Sequence, residues 1–392
     1  DGYTLAHIRD KYEELKKDTT IQKFAQWVND YSFNQDPQKL QGSAGYVLDD
    51  WVNGQYIKLR KKQNWWGNDI DVPWIKAEPE IINFQIISDN RTALIALKNS
   101  KIDIYGSIPV DDFLILMQDK NFGYKYNLHH VESTKLAYLG FNSRLPKFAD
   151  KKTRQALARL INYKEIINVT QAGMVKQAVG IIPPIHLGYS DPNIMPYVFD
   201  PLRAKQLLLK AGWEFENGRW TKYENGEILT LHLNLQFTSG INDYESIALV
   251  IKEAFEKNGI PVNIQPTESR LLTQKLKNHQ VEVFIRSMSM TLFSFDYRSL
   301  FHTSAAGLNG FNYTGFGNGH TDSLIIRTNR STDPRERRSL IKEFQENFHQ
   351  QATFLPLFFY TNNLAIHKRL SNLRLTPLFP GYDVTSMVSS VQ

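Results

Sequence analysis

The 392-residue chain is long enough for two or three domains, each with a core of its own. It contains no cysteine, which excludes thiol catalysis, disulfides and cysteine-bound zinc. Its 46 basic and 40 acidic residues are interleaved to a net charge of +6, with no basic stripe, helix-turn-helix or zinc-finger pattern, so nucleic-acid binding by this chain is not expected.

Apolar residues recur at helical spacing in Leu5, Ile8, Tyr12 and Leu15, and again in Ile21, Phe24, Trp27, Val28 and Tyr31. They predict two amphipathic helices broken at Asp18-Thr19-Thr20, where a capping residue is expected. A turn-rich joint from Gln41 to Tyr46 leads into strands at Tyr56–Arg60 and Ile81–Ile87. A short helix around Ala93–Leu97 and the strand Ile102-Asp103-Ile104 follow.

Farther on, helix and strand alternate. Asp150 precedes one helix, and Asp200-Pro201 opens another with Asp as cap and Pro at the first position. Leu229 to Phe237 alternates apolar and polar residues as a single strand. A helix containing Ile247, Ile251 and Phe255 ends at Asn258-Gly259. The strand Ile260–Ile264, a helix near Glu268–Lys277 and the strand Val281–Ile285 come next. Two consecutive strand–helix units predict an α/β lobe whose strands are largely parallel, because parallel neighbours need a helical crossover. Helices are also expected from Asp322 and from Asp333-Pro334.

No chemistry-bearing constellation emerges. The ten histidines lack metal-ligand spacing, and His129-His130 sits in a strand where neighbours face opposite ways. Gly315–Gly319 lacks the Lys-Ser/Thr ending of a phosphate loop. Ser294, Asp296 and His302 are close in sequence, but no nucleophile elbow accompanies them. The residues name no catalytic group, metal or cofactor, and the chain is not expected to be an enzyme.

Several stretches, in order, resemble the family 5 extracellular solute-binding proteins, the oligopeptide, dipeptide and nickel carriers of ABC importers. They include Gly42–Leu48 with Trp51 and Asn64–Gly67, Asp89–Leu97 to Asp103, and Phe141-Asn142-Ser143 with Phe148–Leu157. Ile182-Pro183-Pro184, Asp200–Trp213, Asn258–Val262, Tyr313-Thr314-Gly315 and Leu355-Pro356-Leu357 complete the set. The resemblance implies a type II periplasmic-binding fold: an α/β architecture of two lobes with mixed sheets, closing on a ligand about a hinge. Residues 1–40 then belong to a small inserted domain, 41–135 to a partial lobe I, 136–360 to a large C-terminal lobe, and 361–392 to the return into lobe I. Family members carry a much longer stretch ahead of the segment matching Gly45-Tyr46, so the chain is expected to lack part of lobe I and to bind weakly by itself.

The resemblance also implies a ligand site. Tyr138 and Asn142 lie at the first crossing between lobes and Tyr360 at the return; each tyrosine is either a ligand contact or a hinge-packing residue. The strand through Arg286, Ser287, Met288 and Ser289 corresponds to the cleft-lining edge that pairs with an extended peptide. Arg286 is a candidate partner for a ligand carboxylate, or else a surface cation. Peptide binders of the family hold the ligand ammonium with an Asp just beyond this strand; here the place reads Thr291–Phe295, with Asp296 the nearest acid. The implied partners are a peptide or small-molecule ligand and ABC permease subunits. The implied form is a monomer, periplasmic or at the cell surface, lipid-anchored or secreted. The alternative is a ligand-sensing domain of a transcriptional regulator. The carrier interpretation needs the edge near Arg286 to be unpaired and the two crossings to lie together.

Overall fold

The computed structural model describes residues 9–30, 36–37, 39–40, 42–72, 74–291, 294–307 and 310–390. The helical reading of Leu5, Ile8 and Tyr31 lies outside these residues, as do Leu292 and Phe293. Helices α1 (Tyr12–Leu15) and α2 (Thr19–Asn29) break where expected: the Asp18 carboxylate accepts from the backbone N–H of Thr20 at 2.8 Å and of Ile21 at 3.1 Å.

Strands β1 (Tyr46–Val52), β2 (Tyr56–Lys61) and β3 (Ile81–Gln85) form an antiparallel sheet. The glycines flanking it have a packing reason. A Cβ on Gly67 would fall 2.5 Å from the Trp65 ring and one on Gly45 3.1 Å from it, so the indole is held between two bare backbones. Helix α3 (Asn90–Lys98), strand β4 (Ile104–Tyr105) and helices α4 (Val110–Gln118) and α5 (Lys120–Lys125) follow. Leu97, Ile108, Phe113, Leu116, Phe122, Tyr126 and Ala365 make a small core of their own here.

Two long strands organise the rest. β5 (Tyr126–Phe141) and β12 (Phe354–His367) run antiparallel, from Tyr126 opposite His367 to Gly140 opposite Phe354. The two expected crossings therefore lie side by side. Their ladder is interrupted twice. Leu357 is an extra residue in β12, and Ser133-Thr134-Lys135 of β5 stand against the single residue Tyr360. Such irregularities bend a strand and leave backbone groups out of the ladder.

Beyond the interruption lie β9 (Leu233–Thr238), β10 (Val262–Thr267) and β11 (Val283–Ser289), in a six-stranded sheet ordered β10-β9-β11-β5-β12-β4. β9 is parallel to β10 and to β11, joined by helices spanning Asn242–Glu256 and Ser269–Lys277, as the strand–helix alternation requires; β5 is antiparallel to β11. The sheet is covered on both faces. Ala137, Leu139 and Phe141 point into a core with Leu157, Ile247 and Ile251, while Leu136 and Tyr138 point into another with Phe301, Phe344 and Phe348.

The single strand expected from Leu229 to Phe237 is two. β8 (Glu227–Thr230) pairs with β7 (Arg219–Glu224), itself paired with β6 (Glu214–Glu216), while β9 belongs to the central sheet. Alternation survives the break because Leu231 is buried while the chain passes from one sheet to the next, and its N–H bonds the Trp220 carbonyl. The β6–β7–β8 meander was legible in two Asn-Gly pairs: Asn217-Gly218 and Asn225-Gly226 all have positive φ, the turn conformation that matches strand twist. The helix expected from Asp322 starts earlier, at Gly319, where Asn318 and Thr321 form a reciprocal capping box. Asn318→Ala is expected to cost about 1 kcal/mol, measured as a lower urea midpoint.

Candidate functional site

The strand expected to offer an open edge near Arg286 is paired on both sides only over its first three residues. Val283, Phe284 and Ile285 are flanked by β5 on one side and β9 on the other, because the parallel neighbour is needed to bury their apolar side chains. From Arg286 to Ser289 only the β5 partner remains. The backbone parity there is set by two bonds: Met290 N–H to the Thr134 carbonyl, and Asn142 N–H to the Glu282 carbonyl. Even-numbered residues of β11 thus face β5, and Ser287 and Ser289 turn their N–H and C=O groups away from it. The edge turned away from β5 is two residues long, and on it the Ser287 N–H is already given to the Tyr244 hydroxyl.

Arg286 is half-buried, donates to Thr273 Oγ1 at 3.3 Å and lies 5.9 Å from the Tyr313 ring centroid. Ser287 Oγ and the Tyr244 hydroxyl are 2.8 Å apart, and Tyr244 also receives the Ser287 N–H. Met288 packs on the aromatic core, and Ser289 is exposed opposite Lys135.

The remaining candidates divide. Tyr138 is 4% exposed, stacked on Phe354 at 3.9 Å and edge-on to Phe284, and burial drives its phenol far above its ordinary range. It is placed as a packing residue. Asn142 is 1% exposed: its amide donates to the carbonyls of His279 and Val281, and its oxygen accepts from Arg144. Those bonds pin the end of β5. Asp296 is taken up by its neighbours, accepting from Arg298 Nε at 2.9 and 3.0 Å and from Asn329 Nδ2 at 2.9 Å. The hydrogen bonds from Arg298, foremost, hold the Asp296 carboxyl down at about 2. A depressed carboxyl pKa contributes stability that is complete above the ordinary value and disappears as pH falls through about 2. An NMR titration of this carboxyl is expected to show its midpoint near 2, and a midpoint near the ordinary Asp value would contradict the pairing.

Tyr360 is different. It sits at the ladder interruption, edge-on to Phe358 at 5.0 Å, with Lys135 Nζ 4.6 Å from its ring centroid. Its hydroxyl donates to the carboxylate of Asp243, a residue that nothing in the sequence pattern singled out. Gln171 Nε2 donates to the same carboxylate at 3.2 Å. Burial, the largest influence, pushes the Asp243 pKa up, against the lowering effects of Tyr360, Lys135 and Gln171; Asp111 pushes it up further. Asp111 comes from the first turn of α4, beyond the interruption. Asp111, from beyond the interruption, therefore acts on Asp243 through its charge. Among the described residues no three His, Asp or Glu side chains gather as a metal site, and no helix is long and apolar enough to cross a membrane.

Residues 3–308 match the model of the bacterial extracellular solute-binding proteins, family 5. The chain belongs to that family. Its relatives include the oligopeptide-binding protein AppA of Bacillus subtilis strain 168, 24% identical over 355 residues, covering 88% of this chain and 62% of the relative. The glutathione-binding protein GsiB of Shigella dysenteriae serotype 1 is 24% identical over 345 residues, covering 86% and 62%. The structure of Bacillus subtilis AppA in complex with a nonapeptide superposes with a TM-score of 0.72 at 22% identity, over 90% of this chain and 67% of that one. The family 5 chain thus has the two-lobed periplasmic-binding fold, and it spans about 62% of the length of these curated relatives. The family is one of solute-binding proteins, not of enzymes.

Proposed function

We propose that the chain captures peptides or peptide-like solutes outside the cytoplasm for an ABC importer. In this reading residues 41–135 and 361–392 form one lobe and 136–360 the other, with 1–40 part of a small inserted domain. The lobes close about the interruption at Ser133–Lys135 and Tyr360. The observation that carries the reading is the position of that interruption. It adjoins the stretch of β11 where Ser287 and Ser289 turn their backbone groups away from β5. An extended ligand laid there adds a short strand through the Ser287 carbonyl and the Ser289 backbone, the Ser287 N–H being held by Tyr244, and such pairing reads main chain and leaves side chains unread. Arg286 stands at the start of the same stretch as a candidate partner for a ligand carboxylate. The relatives' ligands, an oligopeptide and glutathione, are of this chemistry. The protein would act as a monomer, secreted or lipid-anchored, delivering ligand to permease subunits. Calorimetric titration with di- to pentapeptides is expected to give saturable heat, weak if parts of lobe I lie outside this chain. Uniform absence of heat rejects peptide capture.

A further inference from the structure

We propose that Met174 is a clasp between the two lobes, a side chain of the large lobe seated on the core of the other, which it has to leave when the lobes part. The proposal rests on the two-lobed capture reading above and concerns what joins the lobes before a ligand arrives.

Among the described residues the apolar cores divide at the two crossings. Both cores of the central sheet draw their buried members from residues 136–359 alone. The small core of Leu97, Ile108, Phe113, Leu116, Phe122, Tyr126 and Ala365 belongs to the other lobe. Of the five half-buried apolar residues packed against it, Leu94, Ile102, Tyr105 and Leu128 come from that lobe too. The fifth is Met174, which does not.

Local structure presents Met174 from a fixed support. The helix Tyr163–Gln171 is anchored in the large lobe by Tyr163, Ile166 and Thr170, all buried, and by the Gln171 amide, which donates to Asp243 at 3.2 Å. It ends on two left-handed residues, Ala172 at φ 47° and Gly173 at φ 74°, which turn the chain sharply out of the helix. The Met174 N–H closes that turn on the Gln171 carbonyl at 2.8 Å. Across from it, His130 of β5 lies with Nε2 3.3 Å from the Met174 carbonyl and Nδ1 2.7 Å from Asn363 Oδ1 of β12. Asn363 donates in turn to the Ile108 carbonyl at 3.2 Å, and the His130 ring is 6.3 Å from that of Phe113. Side chain and backbone of Met174 thus both reach the part of the strand pair that lies past the interruption at Ser133–Lys135. A methionine suits a contact that is made and broken, because its unbranched chain fits an irregular gap without needing one fixed hole. Half-buried, it gains about half of what full burial of such a side chain gives, which favours the joined form by about fivefold.

Single-molecule energy transfer on the 392-residue chain tests this, and the absence of cysteine allows clean labelling. Dyes are placed through Gln118→Cys at the end of α4 and Lys164→Cys in the helix Tyr163–Gln171, both exposed positions. Without peptide, the labelled chain with Met174 intact is expected to populate mainly a high-transfer state. Met174→Ala should raise the ratio of low- to high-transfer molecules about fivefold. Met174→Leu, which keeps the volume, should stay within about twofold of the parent. An alanine variant that keeps the parent distribution overturns the inference, and so does a parent already mainly in the low-transfer state. A lower melting temperature for Met174→Ala with unchanged transfer would make Met174 an ordinary packing residue and also overturns it. Calorimetry with a mixed tripeptide pool separates this from capture. Heat with an unmoved distribution rejects the clasp alone, whereas no heat with the expected fivefold change rejects capture and leaves the clasp standing.

Discussion

Replacing Gly140 by valine is expected to destabilise the protein by about 3 kcal/mol, the upper part of the range for overpacking a well-filled core. Gly140 lies in β5 between β11 and β12, so the backbone cannot retreat in either direction within the sheet. A Cβ there would fall on the Phe284 ring, 2.7 Å from two of its atoms. Phe284 cannot yield easily, since it is edge-on to Tyr138 at 6.0 Å and to Tyr313 at 6.2 Å and is itself buried. Removing a glycine from a strand gains about 0.5–1 kcal/mol through lower chain entropy, too little to offset the clash. Urea unfolding followed by fluorescence measures the loss. Gly140→Val/Phe284→Leu should recover part of it, because the two sites share one space. An unchanged midpoint for the single variant would mean that the β5–β11 packing described above is wrong.

Phe301→Ala is expected to cost about 3–5 kcal/mol. Its ring meets those of Phe348 at 5.2 Å, Phe354 at 5.5 Å, Phe316 at 5.7 Å, and Tyr297 and Phe344 at 6.1 Å, in tilted or edge-on arrangements. Five large side chains around one vacancy cannot collapse into it without leaving their own contacts, so the cavity cost is added to the transfer cost. Phe301 also ends the short helix Arg298–Phe301, behind the segment carrying Asp296 and Arg298. The loss should therefore be accompanied by faster backbone exchange at residues 297–301 than elsewhere in the lobe. Phe301→Leu, which keeps most of the volume, should cost well under half as much by calorimetry. A loss below about 1 kcal/mol for the alanine variant would show that the ring cluster relaxes around the gap.

Much of the architecture was present in local chemistry. The caps at Asp18, Asp150, Asp200 and Asp333 act within three residues of their own helices, so chain position alone places them. The same holds for the Asn-Gly turns, whose positive φ is set by the two residues themselves. The strand–helix alternation from Leu233 to Ser289 anticipated parallel neighbours, since no short turn can join them. The site was another matter. Tyr138, Asn142 and Tyr360 look alike as polar residues near a crossing, yet the first is sealed beneath Phe354, the second is pinned to two carbonyls, and the third bonds Asp243. Asp243 itself carries no motif; its surroundings, hydrogen bonds from Gln171 and Tyr360 and the charge of Asp111, come from segments remote in sequence.

What the amino-acid order determined alone was the helix caps, the strand–helix alternation of the later chain and the family, because each depends on neighbours along the chain. Which edge of β11 stays open was decided only in three dimensions. β9 accompanies that strand through Ile285 and no farther, and only the pairing of segments some fifty residues apart sets where it leaves. The charges follow the same rule: a carboxylate becomes an ion pair, as at Asp296, or is held by neutral donors, as at Asp243, according to which donors the folded chain brings beside it.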